Sequence, residues 1–237
     1  MKIIDFHSHI LPNIDDGSDS VETSLSMIDT MLNQGVDTVV ATPHFYAYKD
    51  RIETFLQKRQ NAFEALKKSL PDESPNIALG AEVAYFRGIS TAEDVINLTI
   101  DKTKVLLLEM PFQVWSDEIL SEVRRLIYSR KLTVMIAHLE RYLEIKGNKP
   151  FIKKLLSLPV VIQLNAGELL DRKWKRKIIK IIKQRDRVVL GSDCHNMNTR
   201  PPILAKARAV LGNECDKTVL QKIDKTGENI LGGNKNV

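Results

Sequence analysis

The chain has little cysteine: two in 237 residues, Cys194 and Cys215. That is too few for a disulfide framework, and a reducing cytoplasm is the compartment such usage implies. It also lacks a long hydrophobic run. The longest purely aliphatic stretch, Val105-Leu106-Leu107-Leu108, falls far short of the ~20 residues that span a bilayer. Met1-Lys2-Ile3-Ile4 gives way at once to Asp5 and His7, so no apolar secretory segment is expected. No Ser/Gly-rich linker interrupts the chain, which reads as one domain over residues 1–237. The remaining composition, 43% hydrophobic and 27% charged, excludes collagen, disorder and a cysteine scaffold. A chain of this size buries about 70% of its unfolded surface, enough for a sizeable core without staples.

Net charge is +5, unevenly spread: residues 141–187 carry fourteen Lys and Arg against four Asp and Glu, which leaves the rest of the chain at −5. The densest part, Lys173-Trp174-Lys175-Arg176-Lys177, opens a helical pattern with Trp174, Ile178, Ile181 and Ile182 on one face. The plain reading is an amphipathic helix with a solvated basic face. The sharper one is a docking surface for something acidic. Aromatics are not interleaved with the basic residues, so nothing resembles a nucleic-acid module.

Apolar, β-branched runs at residues 3–6, 38–41, 77–80, 105–108, 133–137, 160–164 and 187–191 alternate with helical patterns. Residues 21–34 read as a helix closed by Gly35, and residues 52–70 as one closed by Pro71. Ser90-Thr91-Ala92-Glu93 has capping-box spacing, and Pro201-Pro202 suits the first turn of a helix ending at Gly212. Seven β-then-α units with nearly continuous apolar strands imply an α/β fold with a parallel sheet. No glycine-rich dinucleotide loop follows the first strand, so a seven-stranded (β/α) barrel is expected over an open doubly wound sheet.

All five histidines fall at strand ends: His7 and His9 on the first, His44 on the second, His138 on the fifth and His195 on the seventh. His7 and His9 share a strand face, because side chains alternate with period two. Carboxylates stand in equivalent places, with Asp15-Asp16 in the first loop, Glu82 and Glu109 after the third and fourth strands, and Asp193 after the seventh. An acid directly after an apolar strand is wasteful in a core but normal at the C-terminal rim of a barrel, where active sites lie. Nitrogen and oxygen donors without thiolate suit Mn²⁺, Fe²⁺ or Zn²⁺, and there are too many for one ion. Arg141 and Arg200 follow two of the histidines and beside such a cluster read as phosphate clamps. Three divalent ions against four carboxylates leave a positive surplus that attracts a phosphomonoester dianion. In-line attack on phosphorus by a metal-activated hydroxide is the reaction expected.

Several blocks occur in order: Asp5-Phe6-His7-Ser8-His9-Ile10-Leu11-Pro12, Asp15-Asp16-Gly17, Ala41-Thr42-Pro43-His44, Gly80-Ala81-Glu82, Glu109-Met110-Pro111, His138-Leu139-Glu140-Arg141-Tyr142, and Ser192-Asp193-Cys194-His195-Asn196 with Arg200-Pro201-Pro202. From Lys2 to Gly233 the chain resembles the bacterial polymerase-and-histidinol-phosphatase (PHP) superfamily. Within it, the chain is most similar to the CpsB/YwqE branch of manganese-dependent protein-tyrosine phosphatases of capsule and exopolysaccharide systems. The resemblance implies a distorted, TIM-like (β/α)7 barrel and a three-metal site. It assigns His7, His9, Glu82 and Asp193 to the first metal. Glu109 and His138, with Glu82 bridging, go to the second, and Asp16, His44 and His195 to the third. Arg141 and Arg200 match its phosphate-binding arginines. The implied partner is the phosphotyrosine-rich tail of a bacterial tyrosine kinase, with oligomeric state left open. Phe45-Tyr46, just after His44, departs from the more polar loop expected there.

Tyr46, Tyr48, Phe45 and Trp115 could flank an aromatic substrate ring. Rival readings are a small-molecule phosphatase of histidinol-phosphate type, an amidohydrolase-type enzyme, and a scaffold that has kept the fold. Amidohydrolases usually bridge their metals with a carboxylated lysine, a need that Glu82 fills here, and a scaffold would have lost ligands. Cys194 and Arg200 also satisfy the C-x5-R spacing of cysteine-based phosphatases. That chemistry needs a loop of free amides and a depressed thiol pKa, and neighbouring Asp193 acts in the opposite sense.

Overall fold

The computed structural model describes residues 1–101 and 103–232. Gly233, where the resemblance ends, and the tail to Val237 lie outside the described residues. The chain runs β1 (Ile4–Ser8), α1 (Val21–Asn33), β2 (Thr38–Ala41), β3 (His44–Phe45), α2 (Ile52–Lys67), β4 (Asn76–Leu79), β5 (Glu82–Ala84), β6 (Val105–Glu109), α3 (Asp117–Tyr128) and β7 (Thr133–Ile136). It continues through α4 (Leu139–Tyr142), α5 (Lys149–Leu155), β8 (Val161–Asn165), α6 (Arg172–Gln184), β9 (Val188–Gly191), α7 (Leu204–Glu214) and α8 (Lys217–Leu231), with 3-10 turns at Glu93–Leu98 and Ala166–Leu169. Every strand pairing is parallel, in a three-stranded sheet ordered β1-β2-β4 and a six-stranded sheet ordered β3-β5-β6-β7-β8-β9. This is the expected α/β class.

The seven expected strands appear as nine because the second and third are each interrupted. Pro43 has no N–H to give and breaks β2 from β3. Gly80 breaks β4 from β5, its carbonyl engaged by the buried Arg59 guanidinium at 2.7 Å. Hydrogen bonds run through the breaks, from Gly80 N to Ala41 O (2.8 Å) and from Glu82 N to Pro43 O (3.0 Å). At the far side, Asp193 N donates to His7 O (2.8 Å) and His9 N to Cys194 O (2.9 Å), which joins the end of β1 to the segment after β9.

Alternation sorts the buried strand residues into two clusters. Leu106, Leu108, Val134, Ile136, Ile162, Leu164, Val188 and Leu190 pack with helix residues such as Met27, Leu120, Val123 and Ile178. Val105, Leu107, Met135, Ala137, Val161 and Val189 form a smaller cluster with Ile4, Phe6 and Val40. Period two carries this second face forward to Glu109, Gln163, Asn165 and Asp193. β1 arrives there differently. Its pairing with β2 slips between Asp5 and Ser8, so three residues of β1 advance against two of β2. Such a bulge switches the strand's parity, which lets His7 and His9 join a face that Ile4 and Phe6 already occupy.

Helix ends confirm some expectations and correct others. Gly35 closes α1 in the left-handed region at φ +75°, with Gly35 N bonded to Leu32 O and Val36 N to Met31 O; this is the glycine stop expected. α2 ends at Lys67, three residues before Leu70. The capping box at Ser90 does not form, because the Ser90 amide is taken by Glu122 Oε2 (2.9 Å) and the 3-10 turn at Glu93–Leu98 has Ala92 at its N-cap. Pro201 and Pro202 precede α7 rather than opening it, and that helix runs past Gly212 to Glu214. α6 buries Trp174, Ile178 and Ile182 and turns its lysines to solvent, where Lys175 pairs with Glu214 at 2.6 Å and Lys173 pairs with Glu144. No helix among the described residues is long and apolar enough to cross a membrane.

Candidate metal centre

All five histidines converge at the C-terminal ends of the strands. Ligand atoms of His7, His9 and Glu82 lie within 4.8 Å of one another, as do those of His9, Asp16, His44 and His195, and those of His44, Glu82 and Glu109. Glu82, 1% exposed, is the hub. Its Oε2 is 3.1 Å from His7 Nε2, 3.3 Å from His9 Nε2 and 3.0 Å from His44 Nδ1, and its Oε1 is 2.7 Å from His138 Nε2. Asp193 Oδ1 is 3.5 Å from both His7 Nε2 and His9 Nε2. His138 Nε2 is 3.6 Å from Glu109 Oε1, and Asp16 Oδ1 is 3.4 Å from His44 Nε2 and 3.5 Å from His195 Nε2. Each expected ligand thus sits in one cluster, with Asp16 the most exposed. His138 and Asp193 hold backbone φ of +30° and +53°, a left-handed conformation that costs a non-glycine residue energy and is concentrated at functional sites.

The imidazoles are oriented to turn ring nitrogens toward a common centre. His7 Nδ1 lies 3.1 Å from Gln163 Oε1 and His9 Nδ1 2.7 Å from Asp15 Oδ2. These are pure acceptors, so each Nδ1 carries a proton and each Nε2 is left to take either a second proton or a metal ion. The two Nε2 atoms then face each other at 3.1 Å. Burial disfavours charge on either ring, but Glu82 and Asp193 beside His7, and Asp15, Asp193 and Glu82 beside His9, outweigh it and raise both pKa values, so the pocket holds positive charge, as a proton on Nε2 or as a metal ion. His195 follows the same pattern. Its Nδ1 donates to Asp193 O (3.1 Å), and its Nε2 accepts from Arg200 Nη1 (2.8 Å). Glu82 Oε2 and His44 Nδ1 are buried with no hydrogen-bond partner although they are neighbours. Converging donors that satisfy nothing in the protein fit divalent metal ions.

The carboxylates are charged unequally. Burial pushes Asp193 and Glu82 upward, but the adjacent imidazoles outweigh it and hold both well below the usual range. Asp15 likewise rests at about 2, its burial outweighed by the His9 hydrogen bond and charge and by the amides of His44 and Gly17. Glu109 goes the other way, to about 7, through burial and then the charge of Glu82. Arg141 Nη2 donates to Asp193 Oδ2 at 2.6 Å, and Arg200 Nη2 reaches the same oxygen at 2.6 Å. Two half-exposed guanidiniums on one carboxylate oxygen sit within reach of any anion bound beside Asp193.

Sequence reasoning missed the residues that aim the ligands. Gln163 Oε1 accepts from His138 N (2.7 Å) as well as from His7, and Gln163 Nε2 donates to Asn165 Oδ1 (2.9 Å). Asn165 Nδ2 in turn donates to Asp193 Oδ2 (2.8 Å). The signal was present: Gln163 and Asn165 are amides at period two in an otherwise apolar, buried strand. Asp15, passed over for Asp16, orients His9 and accepts His44 N at 2.9 Å. Of the aromatic candidates, Phe45 and Trp115 are buried core residues, while Tyr46 stacks on His44 and Tyr48 is exposed. Cys194 is fully buried, with its thiol pushed far up by burial and then by Asp5 and Asp193.

The parallel α/β fold gathers five imidazoles and four carboxylates at its strand ends, a histidine–carboxylate set of candidate metal ligands. The family model for capsular polysaccharide synthesis, CpsB/CapC, matches residues 3–231, and the chain belongs to that family. It is 31% identical over 229 residues to the tyrosine-protein phosphatase CpsB of Streptococcus agalactiae serotype III (strain NEM316), spanning 91% of this chain and 92% of that one. It is 27% identical over 241 residues to the tyrosine-protein phosphatase YwqE of Bacillus subtilis (strain 168), spanning 97% and 91%. Among solved structures, one from the work on YwqE from Bacillus subtilis and CpsB from Streptococcus pneumoniae, described as unique metal-dependent tyrosine phosphatases, superposes with a TM-score of 0.82 at 24% identity, covering 97% of this chain and 94% of that one. An organophosphorus hydrolase variant from Deinococcus radiodurans shares the fold more distantly, with a TM-score of 0.58 at 12% identity over 97% and 93% of the two chains.

Proposed function

We propose that this protein is a metal-dependent protein-tyrosine phosphatase acting on the phosphorylated tail of a bacterial tyrosine kinase in capsule or exopolysaccharide synthesis. The observation that carries the reading is the pair of His7 and His9 Nε2 atoms converging 3.1 Å apart beside Glu82, with Arg141 and Arg200 meeting at Asp193. The hydrogen-bonded ends joining β1 to the segment after β9 support one domain over residues 1–237 built on a closed, distorted (β/α)7 barrel. Cytoplasmic residence agrees with the unpaired thiols and the lack of a long apolar helix among the described residues.

Three ions would be held by His7, His9, Glu82 and Asp193, by Glu82, Glu109 and His138, and by Asp16, His44 and His195, and oxygen and imidazole donors suit Mn²⁺. When bound, such ions neutralise phosphoryl oxygens and acidify water for attack on phosphorus. The chain's own groups do the rest. Gln163 and Asp15 hold the protons of His7 and His9 on Nδ1, which keeps both Nε2 atoms basic. Asn165 and the two arginines share Asp193 Oδ2. A phosphate displacing the guanidiniums from that oxygen would gain two charge-assisted donors. A tyrosine phenolate, with a pKa near ~10, leaves without a dedicated acid.

The test is phosphate release from a phosphotyrosine peptide and from histidinol phosphate, before and after EDTA dialysis and with Mn²⁺ restored. Hydrolysis of the peptide that EDTA abolishes and Mn²⁺ rescues is expected, as is a fall of about 30- to 1,000-fold in Arg200→Ala. Preference for histidinol phosphate, or indifference to EDTA, would refute the proposal.

A further inference from the structure

Apolar side chains left in water need a reason when they ring a polar site. Of the nine large hydrophobic side chains exposed among the described residues, five, Tyr48, Phe112, Val114, Leu170 and Met197, lie in segments that follow strand ends, on the same rim as the metal centre. Phe112 is the informative one. It is 57% exposed, yet its ring lies nearly parallel to that of His138, with centroids 5.9 Å apart and planes at 20°, and it touches Tyr142 at 5.3 Å.

The loop carrying Phe112 is held firmly from below. Met110 N donates to Tyr142 Oη (2.9 Å), Trp115 Nε1 to Pro111 O (2.9 Å), Trp115 N to Asn148 Oδ1 (2.8 Å) and Asn148 Nδ2 to Gln113 O (3.0 Å). Trp115, Tyr142 and Asn148 are all buried. The loop therefore immobilises a phenyl ring in solvent beside a metal ligand. On the other flank, Tyr46 stacks on His44 with centroids 5.1 Å apart and planes at 25°, and Lys49 Nζ covers the Tyr46 ring at 4.6 Å. His138 and His44 contact the two different oxygens of Glu82. Phe112 and Tyr46 thus stack on imidazoles that contact different oxygens of Glu82.

We infer that Phe112, on the His138 flank of the metal centre, provides the surface on which the aromatic ring of the substrate stacks and so selects aryl over alkyl phosphate esters. The inference rests on the phosphatase reading above and adds Phe112, which the sequence reading did not single out. A ring already oriented loses little entropy on stacking, so the contact favours a planar leaving group. An aliphatic ester would find the phosphate contacts but not the stacking partner.

The experiment is calorimetric binding of benzylphosphonate and ethylphosphonate to the Mn²⁺-loaded protein, read as the ratio of their dissociation constants. Neither ligand is turned over, so the result stands apart from whether the enzyme hydrolyses phosphotyrosine. Benzylphosphonate is expected to bind more tightly to wild type. Phe112→Ala should reduce the preference about two- to tenfold, the range of one aromatic stacking contact, and Phe112→Tyr should keep it. Damage to the metal centre alone would weaken both ligands and leave the ratio unchanged. A wild-type ratio near unity, or a Phe112→Ala ratio equal to that of wild type, would overturn the inference.

Discussion

Gln163 joins two parts of the centre through one side chain. Replacing it with leucine keeps volume and removes three hydrogen bonds, to His7 Nδ1 (3.1 Å), His138 N (2.7 Å) and Asn165 Oδ1 (2.9 Å). The His138 amide and the His7 Nδ1–H then stand buried without acceptors. Each orphaned donor costs about 1–3 kcal/mol, against a total stability of about 5–15 kcal/mol. For a chain of this length Tm falls by about 2–4 °C per kcal/mol, so a drop of several degrees is expected. A second effect is specific to metal. Without its acceptor, neutral His7 can move its proton to Nε2, the atom 3.1 Å from Glu82 Oε2, and the lone pair is lost. Removing such an orienting partner typically costs about 10- to 100-fold in metal affinity. Competition for Mn²⁺ against a fluorescent chelator measures the affinity, and thermal melting of metal-free and metal-loaded protein separates it from fold stability. A Gln163→Leu protein that melts lower but binds Mn²⁺ within twofold of wild type would show that Gln163 supports only the fold.

Gly191→Ala places a Cβ 2.5 Å from His7 Cβ and 2.9 Å from His7 N; overpacking of about 1–3 kcal/mol and impaired Mn²⁺ binding are expected. Gly212→Ala, whose Cβ comes no closer than 3.8 Å to Leu220, should be neutral or slightly stabilising in the same melts, and equal losses in the two variants would contradict this account. Cys194→Ser should retain most turnover of p-nitrophenyl phosphate while EDTA abolishes it, because the buried thiol is held protonated; an inactive serine variant that still binds metal would point to thiolate chemistry. Glu122 is buried; burial raises its pKa, but the hydrogen bonds to Ser90 outweigh this and hold the carboxyl below its ordinary value. Its contribution is therefore fully present above the unfolded pKa, about 4.3, and lost as pH falls through the lower folded value. The Tm gap between wild type and Glu122→Gln should be widest at neutral pH and shrink below about pH 4, so a gap that does not change with pH would refute the assignment.

Local periodicity made most of the architecture legible. Six of the seven expected apolar runs lie within one residue of an observed strand at either end, as at residues 38–41 and 105–108, because a strand buried on both faces needs continuous aliphatic sequence and little else. The first run, residues 3–6, fell two residues short at its C-terminal end because β1 continues through the polar His7 and Ser8. The errors fell where a distant group competes for a backbone atom. Ser90 has a capping-box neighbour in Glu93, but Glu122, 32 residues away, takes its amide. Arg59 breaks the third strand by reaching the Gly80 carbonyl from α2. No window of sequence contains both partners of either contact.

The candidate metal ligands were legible in the sequence alone. Histidines and acids at strand ends are conspicuous because burying them without partners would be prohibitively costly. Their direction was not. The bulge between Asp5 and Ser8 turns His7 and His9 toward the centre, and only the mismatch in advance between two paired strands creates it. Gln163 and Asn165 bring no ionisable chemistry of their own, and their role appears only when β8 lies between β7 and β9. Phe112 looked like any loop aromatic. Its exposure beside His138 is decided by Tyr142 and Asn148, which lie 30 and 36 residues further along the chain. Residue type sets which chemistry a chain can perform, whereas the orientation of each group depends on contacts between segments far apart in sequence.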